Sequence, residues 1–155
     1  MKIAISKANK SDLNEIIRLN HELFLHDKAF DDQLEVEWPK QDEGHKYFQG
    51  YLESSGKIAF VARVGDKVVG YLVGQLTQDT TRRCRVVSLD NMCVTEAYRH
   101  QNIGSALMAD FRKWAVAENA ERMSVTAYAE NKNALHFYKK HRFSEIAITL
   151  EAEID

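Results

Sequence analysis

From Lys57 to Leu76 the chain reads as two β-rich runs, Ile58/Phe60/Ala62/Val64 and then Val68 to Leu76, joined at Gly65-Asp66. Period-two apolar spacing on both sides of a two-residue Gly-Asp turn is the signature of an antiparallel hairpin. A hairpin alone is marginal in water, so the rest of the chain must extend its edges and cover its faces.

The flanking segments supply both. Lys2 to Ser6 alternate like a short strand, and Asp12 with Glu15 marks a helix start. Leu13, Ile16, Ile17, Leu23 and Phe24 then form one apolar helical stripe. The stretch from His26 to Gln41, with Phe30, Trp38 and Pro39 among many charges, has neither period and reads as a long loop, a type of segment that is often functional. A helix over Asp42 to Ser54 precedes the hairpin. After it come a strand over Arg85 to Val94, a helix from near Ser105 carrying Leu107, Phe111, Trp114 and Ala115, a strand over Met123 to Tyr128, a helix over Asn131 to His141, and a last strand over Phe143 to Leu150 with Ile146, Ile148 and Leu150 in alternation. The order β-α-α-β-β-β-α-β-α-β mixes hairpins with strand-helix-strand crossovers and predicts an α/β fold, α+β by some schemes: one mixed sheet flanked by helices.

At 155 residues, with no internal repeat or linker, the chain is expected to be one domain over 1–155. The balance of 21 basic against 23 acidic side chains provides no basic field for a nucleic-acid backbone. No apolar run approaches the roughly 20 residues of a membrane helix, and the start has no long apolar stretch, so the expectation is a cytoplasmic protein without a membrane partner. Cys84 and Cys93 sit in one extended segment too far apart to bond and without metal-ligand spacing, which predicts free thiols and no metal site.

Chemistry concentrates where Val94-Thr95-Glu96-Ala97-Tyr98-Arg99-His100-Gln101-Asn102-Ile103-Gly104-Ser105 takes the chain from a strand through a loop into a helix. Unpaired N–H groups at a helix start and the positive end of its dipole suit a phosphate or pyrophosphate, and Arg99 adds a cation. A plain connection with Gly104 at its turn fits this segment equally well. A Walker-type loop does not, because no Gly-Lys-Ser/Thr follows Gly104.

Arg99-x-x-Asn102-x-Gly104 resembles the Arg/Gln-x-x-Gly-x-Gly/Ala loop of the GNAT superfamily of N-acetyltransferases, with Asn102 in place of a usual glycine. Asparagine tolerates positive φ better than most residues, which would preserve the loop. Asn131-x-x-Ala134-x-x-Phe137-Tyr138-x-x-His141-Arg142-Phe143 resembles the second family motif, with Arg142 where glycine is common. The resemblance implies acetyl-coenzyme A as cofactor, its pyrophosphate held by the amides of His100, Gln101, Asn102, Ile103, Gly104 and Ser105 beside Arg99. It implies that the strand end Met92, Cys93 and Val94 pairs with the pantetheine arm and offers N–H groups to the acetyl oxygen. It also implies Tyr138 as the general acid that protonates the leaving thiolate, and Asn131 as a cofactor contact. Read from the residues alone, Tyr138 fits a core tyrosine beside Phe137 and Asn131 fits the cap of its own helix.

Asp90 and Asn91 interrupt an apolar strand, and a carboxylate there needs a partner, a wet cleft or a substrate. The family position implies that Asp90 anchors or deprotonates the acceptor amine; a structural carboxylate bonded to its neighbours is the competing reading. Cys93 has no adjacent base and reads as a small buried side chain rather than a nucleophile. Glu22-Leu23-Phe24-Leu25-His26-Asp27 resembles diamine (spermidine/spermine) acetyltransferases, which implies His26 and Asp27 as acceptor contacts, against a solvated helix end. The expected function is direct acetyl transfer to a primary amine, a polyamine or other small cation. The alternatives are a protein amine as acceptor, a non-catalytic acetyl-coenzyme A module, and an interaction domain without cofactor. A homodimer is expected by analogy with the superfamily alone.

Overall fold

A computed structural model describes residues 1–155. Five strands, β1 (Ile3–Lys7), β2 (Lys57–Val64), β3 (Lys67–Leu76), β4 (Val86–Val94) and β5 (Arg122–Val125), form one sheet in that spatial order. The first four are mutually antiparallel and β5 runs parallel to β4. The predicted hairpin is the centre of the sheet, and Gly65 turns it with φ of 59°.

Helices α1 (Leu13–Asp27) and α2 (Asp42–Glu53) cover one face, while α3 (Ile103–Ala117) covers the other. The short α4 (Lys132–Lys140) packs Phe137 and Tyr138 against the edge of the α3 core. Each face buries its own cluster. Ile16, Leu19, Phe48, Val61, Tyr71 and Val73 fill the α1/α2 side. Leu72, Val87, Leu89, Leu107 and Phe111 fill the α3 side. No helix is long and apolar enough to cross a membrane. Both cysteines are free, and no cluster of His, Cys, Asp or Glu is placed to hold a metal ion.

Two expectations gain detail and one needs correction. Asp12 stands at the N-cap position of α1, but its buried carboxylate makes no cap bond there: it turns back to accept the Asn9 N–H and pairs with Arg63, because a single-turn 3-10 helix over Lys10–Asp12 precedes α1. The loop from His26 to Gln41 is built on a 3-10 turn at Trp38–Lys40 with Pro39 buried, and Trp38 stacks on Phe24 at 5.8 Å. The final strand predicted over Phe143 to Leu150 pairs with nothing. Its alternation is real, but no backbone hydrogen bond is made beyond that of the Phe143 amide, so the last strand has no partner within the chain.

Candidate active site

The site begins with a defect in β4. Val87, Leu89, Met92 and Val94 face α3, whereas Asp90, Asn91 and Cys93 face α1 and α2. Two consecutive residues on one face require an extra residue in the ladder, and the β3–β4 register shifts there: Val73 opposes Asn91 and Gly74 opposes Leu89. The bulge bends β4 away from β5, whose pairing stops at Leu89. Gly74 allows this crossing, since a Cβ there would lie 2.4 Å from the Phe111 ring and 2.6 Å from the Ser88 carbonyl.

Past the split, one edge of β4 is open. The Thr95 amide donates to Val69, so in an antiparallel ladder the amides of Cys93 and Asn91 also face β3 and those of Met92 and Val94 face the gap. Of the three strand-end residues, Met92 and Val94 therefore present free N–H groups and Cys93 does not. The Cys93 thiol is buried, and that burial pushes its pKa up to about 12, which removes it as a nucleophile at neutral pH.

The gap leads to the β4–α3 loop. His100 and Asn102 have φ of 62° and 63°, and Asn102 is the left-handed residue that opens α3. Left-handed residues at alternate positions turn successive amides toward one side, the arrangement of an anion nest. The Arg99 amide bonds to Glu96 and the Ala106 amide to Asn102, but the amides of His100 through Ser105 find no carbonyl. Six consecutive N–H groups leading into the positive end of α3 thus have no protein partner. Gly104 keeps the approach narrow, since a Cβ there would sit 3.3 Å from the Phe137 ring and 3.7 Å from Met92 Cε.

Arg99 does not reach into this nest. Its Nε donates to the Val94 carbonyl at 2.9 Å and its Nη2 lies 3.7 Å from Glu22. Glu22 in turn accepts from Thr95 Oγ1 at 2.9 Å and from the Glu96 amide at 3.0 Å. Glu22 thereby ties α1 to the first turn of the loop, a role that local sequence pattern could not show because the partners are 73 and 74 residues apart. Ser105 Oγ lies 3.0 Å from His141 Nε2 and fixes the start of α3 to the end of α4. Burial, then Lys140 and Arg112, lower the His141 pKa, which favours a neutral ring.

Tyr138 lies on α4, packed against the α3 side of the core between Phe137 and Phe143. Its hydroxyl makes no hydrogen bond; burial first, and the Asp27 charge second, raise its pKa to about 12. The phenol is therefore a protonated, uncommitted donor at neutral pH. Asp27, at the end of α1, has only 17% of its side chain exposed and sits 3.1 Å from His26 Nδ1. Burial raises the Asp27 pKa, with the His26 contact opposing. Its charge also acts on Tyr128, Cys93 and Tyr71 as well as Tyr138. Beyond it, Phe30 stacks on Tyr128 at 6.0 Å, Tyr128 donates to Asp31, and a groove lined also by Asp32, Glu151 and Glu153 opens outward.

Asp90 and Asn131 both spend hydrogen bonds within the chain. Asp90 accepts from Ser88 Oγ and Gln75 Nε2, each at 2.7 Å, and from the Tyr51 hydroxyl, tying the bulge to β3 and α2. Burial and the bond to this carboxylate drive the Tyr51 phenol strongly upward. Asn91 beside it accepts from Tyr71 and donates to Tyr47. With three donors already on its two oxygens, Asp90 acts as a staple rather than a free base. Asn131 accepts the Ala134 amide at 3.1 Å and caps α4 with its side-chain oxygen.

The family model for the Acetyltransferase (GNAT) family matches residues 19–143. The chain belongs to the GNAT acetyltransferase family. It is an acetyltransferase, of a family that uses acetyl-coenzyme A. An N-alpha-acetyltransferase of Sulfurisphaera tokodaii is 28% identical over 154 residues, covering 93% of this chain and 81% of the relative. An N-alpha-acetyltransferase of Sulfolobus acidocaldarius is 25% identical with the same coverage. Among solved structures, a tetramutant of BH1408 from Bacillus halodurans superimposes with a TM-score of 0.85 at 22% identity, covering 97% of this chain and 99% of that one. The aminoglycoside acetyltransferase AAC(6')-Iy, in complex with a bisubstrate analogue of coenzyme A, gives a TM-score of 0.79 at 18% identity, covering 100% and 99%. These structural likenesses establish the shared GNAT fold.

Proposed function

We propose that this acetyltransferase moves the acetyl group of acetyl-coenzyme A directly onto a primary amine of a small cationic acceptor. The observation that carries the reading is the row of six unpartnered amides from His100 to Ser105, which fits a diphosphate by charge and by donor count. Acetyl-coenzyme A supplies the activated thioester. The Met92 and Val94 amides, freed where β4 leaves β5, donate to the acetyl oxygen as negative charge develops on it. The amine attacks the carbonyl carbon, the carbon–sulfur bond breaks, and Tyr138 gives its proton to the sulfur. Arg99 and Glu22 hold the loop, and Asp27, with His26 beside it, anchors the ammonium and accepts its proton through water. Asp90 has no step to perform.

The acceptor class follows from charge. Asp31, Asp32, Glu151 and Glu153 line the outer cleft, with Lys28 as the nearby cation and Asp27 next to it in the chain, and the Phe30 and Tyr128 rings provide faces for methylenes or ammonium groups. This suits an acceptor with more than one positive charge, such as a polyamine or an aminoglycoside. The names of the two relatives support a second reading, a protein α-amine entering by the same mouth. Thiol release measured across polyamines, an aminoglycoside and short peptides with free N-termini separates the two. Turnover confined to the peptides would sink the small-cation reading, and no thiol release with any amine would sink catalysis.

A further inference from the structure

One wall of the acidic groove is placed by side chains rather than by backbone pairing. Every amide hydrogen bond made by residues 28–37 ends within four residues: Lys28 on Phe24, Ala29 on His26, Phe30 and Asp31 on Asp27, Leu34 on Asp31, and Gln33 and Glu37 on the carboxylates two residues before them. Such local turns give the stretch its shape but do not fix where it lies over the sheet. Two anchors outside the groove do. His21 Nε2 on α1 lies 3.3 Å from Glu37 Oε1, with 17% of the His21 side chain exposed. One residue on, Trp38 stacks on Phe24 at 5.8 Å and meets the Tyr47 ring edge-on at 5.4 Å, while Pro39 is buried. The first turn of α2 closes on this knuckle without room to spare: a Cβ at Gly44 would lie 2.4 Å from the Trp38 carbonyl oxygen and 2.5 Å from that of Pro39, so a methyl group there forces the knuckle to move.

We propose that the His21–Glu37 latch and the Trp38–Gly44 knuckle are positioning elements for the acceptor: none of these four residues lines the groove, yet together they set how far its walls stand apart. The kinetic part of this inference rests on the acetyl-transfer reading; the structural part does not. The two walls differ in origin. Tyr128, Thr149, Glu151 and Glu153 come from the chain after β5, whereas Lys28 to Gln33 hang between the end of α1 and the knuckle. A shift at the knuckle therefore moves the second wall against the first, and with it Phe30, 6.0 Å from Tyr128, and Asp31, which accepts the Tyr128 hydroxyl. The latch is specific as well as local. Asp31, Asp32, Glu35 and Glu37 make the stretch acidic, and the contact with His21 is the one that any of these carboxylates makes with a basic side chain. The coenzyme A nest has separate ties, Glu22 to the Glu96 amide and Ser105 to His141, so acceptor placement can change while cofactor binding does not.

The test is hydrogen–deuterium exchange of residues 28–35 in the full chain, joined to steady-state kinetics and coenzyme A calorimetry, on His21→Ala, His21→Lys and Gly44→Ala. The kinetics use whichever of spermidine, neamine and an alanine tripeptide the parent turns over fastest. Exchange of the stretch should speed up in both alanine variants, and the KM for the amine should rise about two- to fivefold on loss of the latch and about tenfold on displacement of the knuckle. Both kcat and coenzyme A affinity should stay within about twofold of the parent. His21→Lys keeps a cation facing Glu37 and should match the parent in exchange and in KM. Should Gly44→Ala not fold, the two His21 variants carry the test alone, since alanine and lysine both suit a helix interior. Unchanged exchange in His21→Ala, a His21→Lys that behaves like it, or a loss of coenzyme A affinity as large as the rise in KM would each overturn the inference. Absence of thiol release with all three amines would strike the acetyl-transfer reading instead, and exchange would still decide whether the latch holds the wall.

Discussion

A single proton donor decides the chemistry at the scale of one residue. General acid catalysis contributes roughly 10²–10⁴-fold, so Tyr138→Phe is expected to lower kcat by about that factor while coenzyme A affinity stays within about twofold. Unchanged turnover would remove Tyr138 from the mechanism. Because burial raises its pKa to about 12, the tyrosine keeps its proton well beyond the point at which an ordinary phenol begins to lose it. Activity should therefore rise as the amine deprotonates and show no Tyr138-dependent decline up to about pH 11. A falling limb near pH 10 that disappears in Tyr138→Phe would contradict this. The two aspartates make a paired comparison. Asp27→Asn removes the charge proposed to anchor the ammonium, and loss of one charged hydrogen bond, about 1.5–3 kcal/mol, should raise the KM for a polyamine about ten- to hundredfold. Asp90→Asn alters a staple on the α2 side, so the expected outcome is lower thermal stability with kcat within a few-fold of the parent. The opposite ranking in steady-state kinetics would return the acceptor role to Asp90.

The loop between β4 and α3 is the element on which binding turns, and its shape depends on two left-handed residues. Most side chains cost about 1–2 kcal/mol in that conformation, and asparagine and glycine much less. Asn102→Gly should accordingly keep coenzyme A affinity, whereas Asn102→Val should lower both stability and affinity; titration calorimetry on the two variants checks the order. Much of this was legible in the residues: the hairpin turn, the helix stripes and the strand-loop-helix passage each carry local signals. Asn102 in the glycine position already implied positive φ. What sequence could not show are contacts between distant segments. The bulge at Asp90 is set by β3 and by the crossing of Phe111, the Glu22 latch joins α1 to a loop far along the chain, and the charge of Asp27 at the end of α1 acts on Tyr138 of α4. The last strand failed for a related reason: alternation states which side of a strand is apolar but not which edge receives it.

For the whole molecule, the fold places the candidate site where the sheet stops being a sheet. Two hydrophobic layers stabilise the hairpin and its neighbours, and the site occupies the seam where β4 and β5 part, between the loop at one end and the acidic mouth at the other. A ligand that fills this seam supplies the partners that the unpaired amides lack, so folding and binding are linked. Ligand at 100 times its Kd stabilises the native state by about 2.7 kcal/mol. For a domain of this size each kcal/mol moves Tm by roughly 2–4 °C, and saturating coenzyme A should therefore raise Tm on the order of 5–10 °C. The shift should persist in Tyr138→Phe, which alters proton donation and not the nest, and shrink in Asn102→Val, which alters the nest and not the donor. A Tm that ignores coenzyme A at millimolar concentration would mean that the six free amides are not a diphosphate site, and the transfer mechanism built on them would fall with it.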